Sequence, residues 1–476
     1  MRRSLFLVAV VLVVAAILPR GLTRPDSGKT ENPPVSRLTR LLPGVQPGGE
    51  VLLPNQWSVR PAGKQYLLGD FPINTALHPE GKFLAILHTG YGDHEVVIFD
   101  LARGVRVSRF IIDQAWYGLC FSPDGKKLFA SGGEQEVVHV FDFHNGQLNN
   151  HKTLAIVDQK KTFIPGGLAV SPDGKTLFAA GTWGNAIAIV PLEAPEKVAL
   201  VQLPEKDSYP YACLPDSDGQ RVLVSLWNKS QVAVLDVARR KVTATWKTES
   251  HPTEMALFVD AKKKQKTLFV ACANSTRVSV IDAETGKSRQ TIVSALYPDA
   301  PTGNTPNSLA LTPDGQVLFV ANADNNNLGV FNVADPDRAR PMGFIPTGWY
   351  PTSVRYDART RKIFVANGKG GTSKANRHGP NPLRSSSPTT EYLAGLLQGT
   401  LSIIDLPAPQ QLEAYTKQVY ELSPLRKDRG VTARRPEGNP IPARVGDPSP
   451  IKYVIYIIKE NRTYDQVFGD MKEGNG

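Results

Sequence analysis

Glu460 and Asn461 stand side by side in the run Lys459-Glu460-Asn461-Arg462-Thr463-Tyr464-Asp465-Gln466-Val467-Phe468-Gly469. A carboxylate and an amide carbonyl are hard oxygen donors, and adjacent on a loop they suit a divalent cation. The spacing Asn461-Arg462-Thr463 is also that of a glycosylation acceptor, which stands as a competing reading. Other residues that could do chemistry are scattered. His78, His88 and His94 fall in different turns and loops, where turn and surface roles compete with metal ligation. Lys369, Lys374, Arg377, His378 and Arg384 share one long insertion, residues 368–399, with a short helix expected at Glu391 to Leu397; a docking surface toward a following domain, an anion site and plain disorder are its competing readings. Cys120, Cys213 and Cys272 lie in or beside apolar runs without any Cys-x-x-Cys or Cys/His spacing, so they read as buried thiols and give no support to a zinc site.

The element that must position Glu460 and Asn461 is Ile451-Lys452-Tyr453-Val454-Ile455-Tyr456-Ile457-Ile458. A nearly continuous β-branched and aromatic run predicts a parallel strand buried on both faces. In open α/β sheets ligands bind beyond the carboxyl ends of such strands, which is where the polar cluster falls. A stray strand docked on the rest of the molecule is the structural alternative.

Everything before that strand has a different grammar. A turn, a strand, a polar loop and another strand recur every ~45 residues, the period of four-stranded propeller blades. The turns are His78-Pro79-Glu80-Gly81, Ser122-Pro123-Asp124-Gly125, Ser171-Pro172-Asp173-Gly174, Asp216-Ser217-Asp218-Gly219, Asp260 to Gln265, Thr312-Pro313-Asp314-Gly315 and Asp357 to Arg361. Each leads into an apolar strand such as Leu128-Phe129-Ala130 or Leu318-Phe319-Val320. Seven units predict an all-β, seven-bladed β-propeller over residues 64–407. The seventh unit has no outer strand of its own after Asp405, whereas Lys64 to Leu68 stands ahead of the first unit as an orphan strand. Pairing the two closes the ring and removes an open sheet edge. These copies resemble the YVTN family of β-propeller repeats, the best matches being Leu268-Phe269-Val270-Ala271-Cys272-Ala273-Asn274 and Leu318-Phe319-Val320-Ala321-Asn322. The resemblance implies the fold and leaves the activity open.

The flanks follow from composition. Arg2 and Arg3 precede the apolar run Leu5 to Leu18, a basic and then apolar pattern too short for an ordinary spanning helix. Residues 1–20 read as a signal peptide or N-terminal anchor, so the chain is expected to be exported, periplasmic or extracellular, with residues 5–18 as an optional membrane tether. Residues 21–63, rich in Pro, Gly and Arg, read as an extended leader with little fixed structure. Residues 408–450 read as a basic Pro/Gly-rich linker with one helix over Gln410 to Leu422. Arg426, Lys427, Arg429, Arg434, Arg435 and Arg444 supply much of the net charge of +11. That excess is assigned to solvated linker, and no nucleic-acid partner is expected. Oligomeric state is not legible.

The cluster at 460–469 resembles the opening of the phosphoesterase family that includes bacterial phosphatidylcholine-type phospholipases C and acid phosphatases, within the alkaline-phosphatase-like superfamily. Glu460, Asn461, Arg462, Thr463, Tyr464, Asp465, Phe468 and Gly469 meet that pattern. The resemblance implies that Glu460 and Asn461 are metal ligands in a metal-dependent hydrolase of phosphate esters, with a divalent cation as cofactor. It also implies that residues 451–476 are only the front of that domain, since the nucleophile and later ligands of the family are not among them. No catalytic residue is assigned on this stretch. The competing functional readings are a noncatalytic envelope binding or scaffold propeller, and a propeller enzyme such as a lactonase. The last needs a carboxylate or histidine cluster at the central channel, which the repeats do not supply.

Overall fold

The computed structural model describes residues 42–158, 161–372, 376, 378–379, 391–425, 438–442, 447–458, 460 and 467–472. Seven four-stranded antiparallel sheets run in order between Lys64 and Asp405. Each innermost strand touches those of the blades on either side, and the seventh touches the first. The protein is an all-β, seven-bladed propeller, as the repeats predict.

The blade pattern follows from what each strand faces. In the first blade the two middle strands, Phe83–His88 and Glu95–Asp100, are buried along nearly their whole length because neighbouring blades cover both faces. The outer strand Val105–Ile111 has one flank in solvent and carries Arg106 and Arg109. Continuous apolarity in the middle and mixed polarity outside is thus the sequence signature of stacked sheets. The Ser/Thr-Pro-Asp-Gly turns lock the first hairpin. Ser122 Oγ donates to Asp124 Oδ1 at 2.6 Å, whose same oxygen accepts the Lys126 N–H at 3.1 Å. Gly125 sits at φ +72°, a conformation that side chains disfavour. Asp173 and Asp314 repeat the arrangement with Ser171 and Thr312. His78 replaces the hydroxyl in the first turn: its Nε2 meets the Gly125 carbonyl at 3.1 Å and its Nδ1 accepts the Glu80 N–H at 3.2 Å.

The seventh blade is Trp349–Asp357, Lys362–Gly370 and Thr400–Asp405, and its outer strand is Lys64–Leu67. Leu401 pairs with Tyr66 and Ile403 with Lys64. Ser402 Oγ donates to Gln65 Oε1 at 2.7 Å. The orphan strand therefore closes the ring as the sequence suggests.

Three expectations need correction. Residues 42–63 are not a featureless leader: Gly44–Val45, Val51–Leu52 and Ser58–Val59 form a small sheet, Leu53 and Val59 are buried, and the Ala62 N–H donates to Pro346 O at 2.9 Å. The helix read into the linker, α1 (Pro409–Leu422), is packed on the outer strand of the sixth blade through Leu412 and Val419, so the chain does not leave the propeller at 407. Third, Ile451–Ile458 forms no strand and is exposed throughout, its large apolar side chains ranging from 43% at Ile451 to 89% at Tyr453. A strand needs a neighbour to pair its N–H and C=O groups, and no strand among the described residues pairs with this one. These side chains are not packed on the propeller.

Candidate functional site

Six of the seven innermost strands carry a proline at or near their start: Pro72, Pro165, Pro210, Pro252 and Pro306 open theirs, and Pro351 is the third residue of Trp349–Asp357. The residue before each proline, Phe71, Ile164, Tyr209, His251, Thr305 or Tyr350, has a positive φ between 40° and 64°. Side chains there cost backbone strain, and a following proline ordinarily favours extended backbone. Hydrogen bonding maintains the conformation: the Tyr209 carbonyl accepts Trp227 N–H at 3.0 Å, His251 accepts Ala273 at 2.9 Å, and Thr305 accepts Ala323 at 3.0 Å. A register shift follows each proline, so the strands splay where they start. The second blade departs, entering through Trp116, Tyr117 and Gly118. An added Cβ at Gly118 would sit 2.3 Å from the Gly166 carbonyl, so the close approach of blades two and three there requires glycine.

Just inside this entrance the inner strands converge on an ion pair. Arg355 of the seventh blade reaches Glu254 of the fifth, Nη2 to Oε1 at 2.8 Å. Arg355 Nε also donates to Thr75 O at 2.9 Å and its Nη2 to Asn74 Oδ1 at 2.9 Å in the first blade. Ser308 Oγ of the sixth blade donates to Glu254 Oε2 and accepts the Val354 N–H at 3.0 Å. Asn74 Nδ2 in turn donates to Tyr117 O at 2.9 Å, and the rings of Tyr117 and Tyr211 lie 4.6 Å apart. Burial, with the Glu254 charge behind it, pushes both tyrosine hydroxyls well above their ordinary range. Burial pulls the Arg355 guanidinium down, but Glu254 outweighs it and holds the charge. The plug joins residues from blades one, two, four, five, six and seven. Its carboxylate is engaged by Arg355, by the Ser308 hydroxyl and by the Leu309 N–H at 3.0 Å, so Glu254 serves to hold the inner strands together.

Around the entrance lies an aromatic collar. Trp183 and Tyr209 are 6.3 Å apart, Tyr209 and Trp227 6.5 Å, and Trp227 and His251 4.0 Å, a continuous file across blades three to five. On the other side Phe71 meets Tyr350 at 6.1 Å, and Lys369 Nζ stands 4.4 Å from the Tyr350 ring centre and 5.5 Å from that of Trp349.

The structure does not gather the other candidates. His88 is buried beside Glu95, with Nδ1 3.3 Å from Oε1. His94 Nδ1 accepts the Ala115 N–H at 2.8 Å, so the three early histidines have separate structural partners. In the insertion, Lys369 is engaged with the two rings, the His378 carbonyl accepts the Glu391 N–H at 2.8 Å, and Tyr392 stacks on Tyr91 at 4.7 Å. Lys374, Arg377 and Arg384 lie outside the described residues, and the helix read at Glu391 to Leu397 is a 3₁₀ turn at Leu393–Leu396. The three cysteines are unpaired thiols; burial pushes Cys120 up to about 12 and Cys272 up to about 11. Glu460 is exposed, and Asn461 lies outside the described residues. No group of three or more His, Cys, Asp or Glu fit to hold a metal ion occurs among the described residues, so those residues do not by themselves fit the implied cation.

Sequence reasoning missed Glu254, Arg355 and the collar. A signal was present: in five blades the proline stands six residues ahead of the turn residue, as Pro210 does before Asp216, and the residues after it face the middle of the ring.

The family described as "Lactonase, 7-bladed beta-propeller" matches residues 75–261 and 258–377. No curated protein matches the chain. Among solved structures, hydrazine synthase of Kuenenia stuttgartiensis is similar with TM-score 0.52 at 19% identity, covering 63% of this chain and 93% of that one. The WD40 repeats of RRP9 give 0.54 at 8% identity, covering 72% and 99%. Virginiamycin B lyase from Staphylococcus aureus gives 0.50 at 13%, also covering 72% and 99%. At such identities the likeness is one of fold.

Proposed function

This chain belongs to the family of 7-bladed β-propeller lactonases, and from that premise we propose that its propeller is the accessory part of an exported, metal-dependent phosphoesterase whose sheet begins at Ile451. The observation that carries the reading is the contrast between two halves of one segment. Tyr453 to Ile458 expose six large apolar side chains in succession, a surface that water disfavours by about 25 cal/mol per Å² and that a sheet would bury. Directly behind them stand Glu460 and Asn461, the donors expected at the carboxyl end of such a strand. In this reading both side chains are first ligands of a divalent cation and the substrate is a phosphate ester. Export rests on Arg2, Arg3 and the run Leu5 to Leu18, which fits the periplasm or the cell exterior and allows a membrane tether.

Lactone hydrolysis in the channel is not assigned, because Glu254 is engaged by Arg355 and Ser308. A noncatalytic binding propeller remains as the second reading, favoured by the collar at the channel entrance. Sequencing through codon 476 and assaying the whole translated product on p-nitrophenyl phosphate separates the two. An in-frame α/β region with hydrolysis that chelator abolishes is expected. A stop codon there, or an α/β product without phosphatase activity, contradicts the phosphoesterase reading.

A further inference from the structure

The file Trp183, Tyr209, Trp227 is unusual in being both open and rigid. Trp183 is 61% exposed and Trp227 37% exposed, yet each rides a tight hairpin turn. The loop between blades three and four is tied beneath them: Asn185 Nδ2 donates to Glu205 O at 2.8 Å, Asn185 Oδ1 accepts the Ser208 N–H at 2.8 Å, and Asn228 Nδ2 donates to Asp207 O at 3.0 Å. Rings fixed in place before a ligand arrives lose little freedom on binding. The patch contains no other large exposed aromatic or aliphatic side chain; the exposed residues beside the rings include Lys161, Thr162, Pro204, Glu205, Lys206, Asp207 and Asn228. The charges of Glu205 and Asp207 are offset by Lys206 and by Lys229, which lies 3.8 Å from Glu205.

We propose that this face binds a neutral glycan, with pyranose rings stacked on Trp183 and on Trp227. The negative face of an indole attracts the polarised C–H bonds on the flat side of a pyranose, while the hydroxyls at the sugar's edge meet the amides and carboxylates interleaved between the rings. The near-zero local charge disfavours polyanions, and the lack of aliphatic anchors disfavours a packed protein interface. The inference stands apart from the phosphoesterase reading and needs neither Glu460 nor Asn461.

The test titrates the full chain with cellohexaose and with hexa-N-acetylchitohexaose, following tryptophan fluorescence and calorimetry. Vesicles of phosphatidylcholine and phosphatidylglycerol at a ~3:1 ratio serve as the lipid arm, in which protein bearing no charged patch here is expected to stay unbound. At least one hexaose is expected to bind. Trp183→Ala and Trp227→Ala should each weaken binding by ~10-fold or more, Trp183→Phe should recover part of it, and Met342→Ala should leave it unchanged. Absence of binding by both hexaoses up to ~10 mM, binding indifferent to both alanine variants, or vesicle capture that depends on Trp183 overturns the proposal.

Discussion

Arg355 and Glu254 show what one buried pair does for a ring of blades. Because Arg355 bonds to blades one, five and six at once, losing it strands the Glu254 carboxylate and several inner-strand acceptors together. Arg355→Met is expected to lower unfolding free energy by about 3–5 kcal/mol in denaturant titration, and the double change with Glu254→Gln by clearly less, since no uncompensated charge is left. Equal losses in the two variants would mean that the pair has no special role. His88 sets a pH limit of its own. Burial is the main cause that lowers it, to about 3, with Arg106 and Arg109 adding to the effect. Its proximity to Glu95 does not reverse this, because Arg109 already engages Glu95 and the Gly69 N–H at 3.3 Å needs the Nε2 lone pair. A histidine whose folded pKa is depressed leaves the unfolded chain holding the extra proton, so stability is full above about pH 6.5 and falls as pH drops toward 3. His139, lowered to about 4 by burial and by His151, titrates in the same window and in the same sense. His88→Gln should therefore remove on the order of 2 kcal/mol of the stability lost between pH 6.5 and 4.5, read from unfolding at a series of pH values. An unchanged pH profile would show that folding leaves the His88 pKa where it stands in the unfolded chain.

At the scale of elements, legibility tracked burial. Middle strands such as Leu318-Phe319-Val320 announce themselves because both faces are covered. The outer strands Gln147–Ala155 and Ala199–Gln202 of blades two and three escape sequence reading because their side chains are mostly polar or half exposed. The closing strand was legible for a topological reason, as a seventh unit without an outer strand faced a strand without a unit. Its contribution is open to measurement. A chain starting at Leu68 lacks the partner of Thr400–Ile403, whereas one starting at Arg60 retains it. The shorter chain is expected to melt several degrees lower and to self-associate on size exclusion through the bared edge. Identical melting and a monomeric profile for both would deny the strand that role. The collar was hidden for the opposite reason: Trp183 and Trp227 sit in turns of no fixed pattern, and only the fold brings blades three to five side by side.

For the whole molecule, the propeller explains how residues 64–405 hold together, and the proposed chemistry rests on Glu460 and Asn461. The apolar run at 451–458 was legible as a strand by composition, yet composition cannot provide the neighbours that make it one. Glu460 accordingly stands exposed and apart from other metal-ligating side chains among the described residues. The central claim is that Glu460 and Asn461 are ligands of the ion that a phosphoesterase uses. The direct measurement is metal-activated hydrolysis of a phosphate ester by the whole translated product carrying Glu460→Gln or Asn461→Ala. A fall of ~100-fold or more in kcat, with the propeller's melting temperature unchanged, is the predicted result. Hydrolysis at the parent rate in both variants would contradict the account.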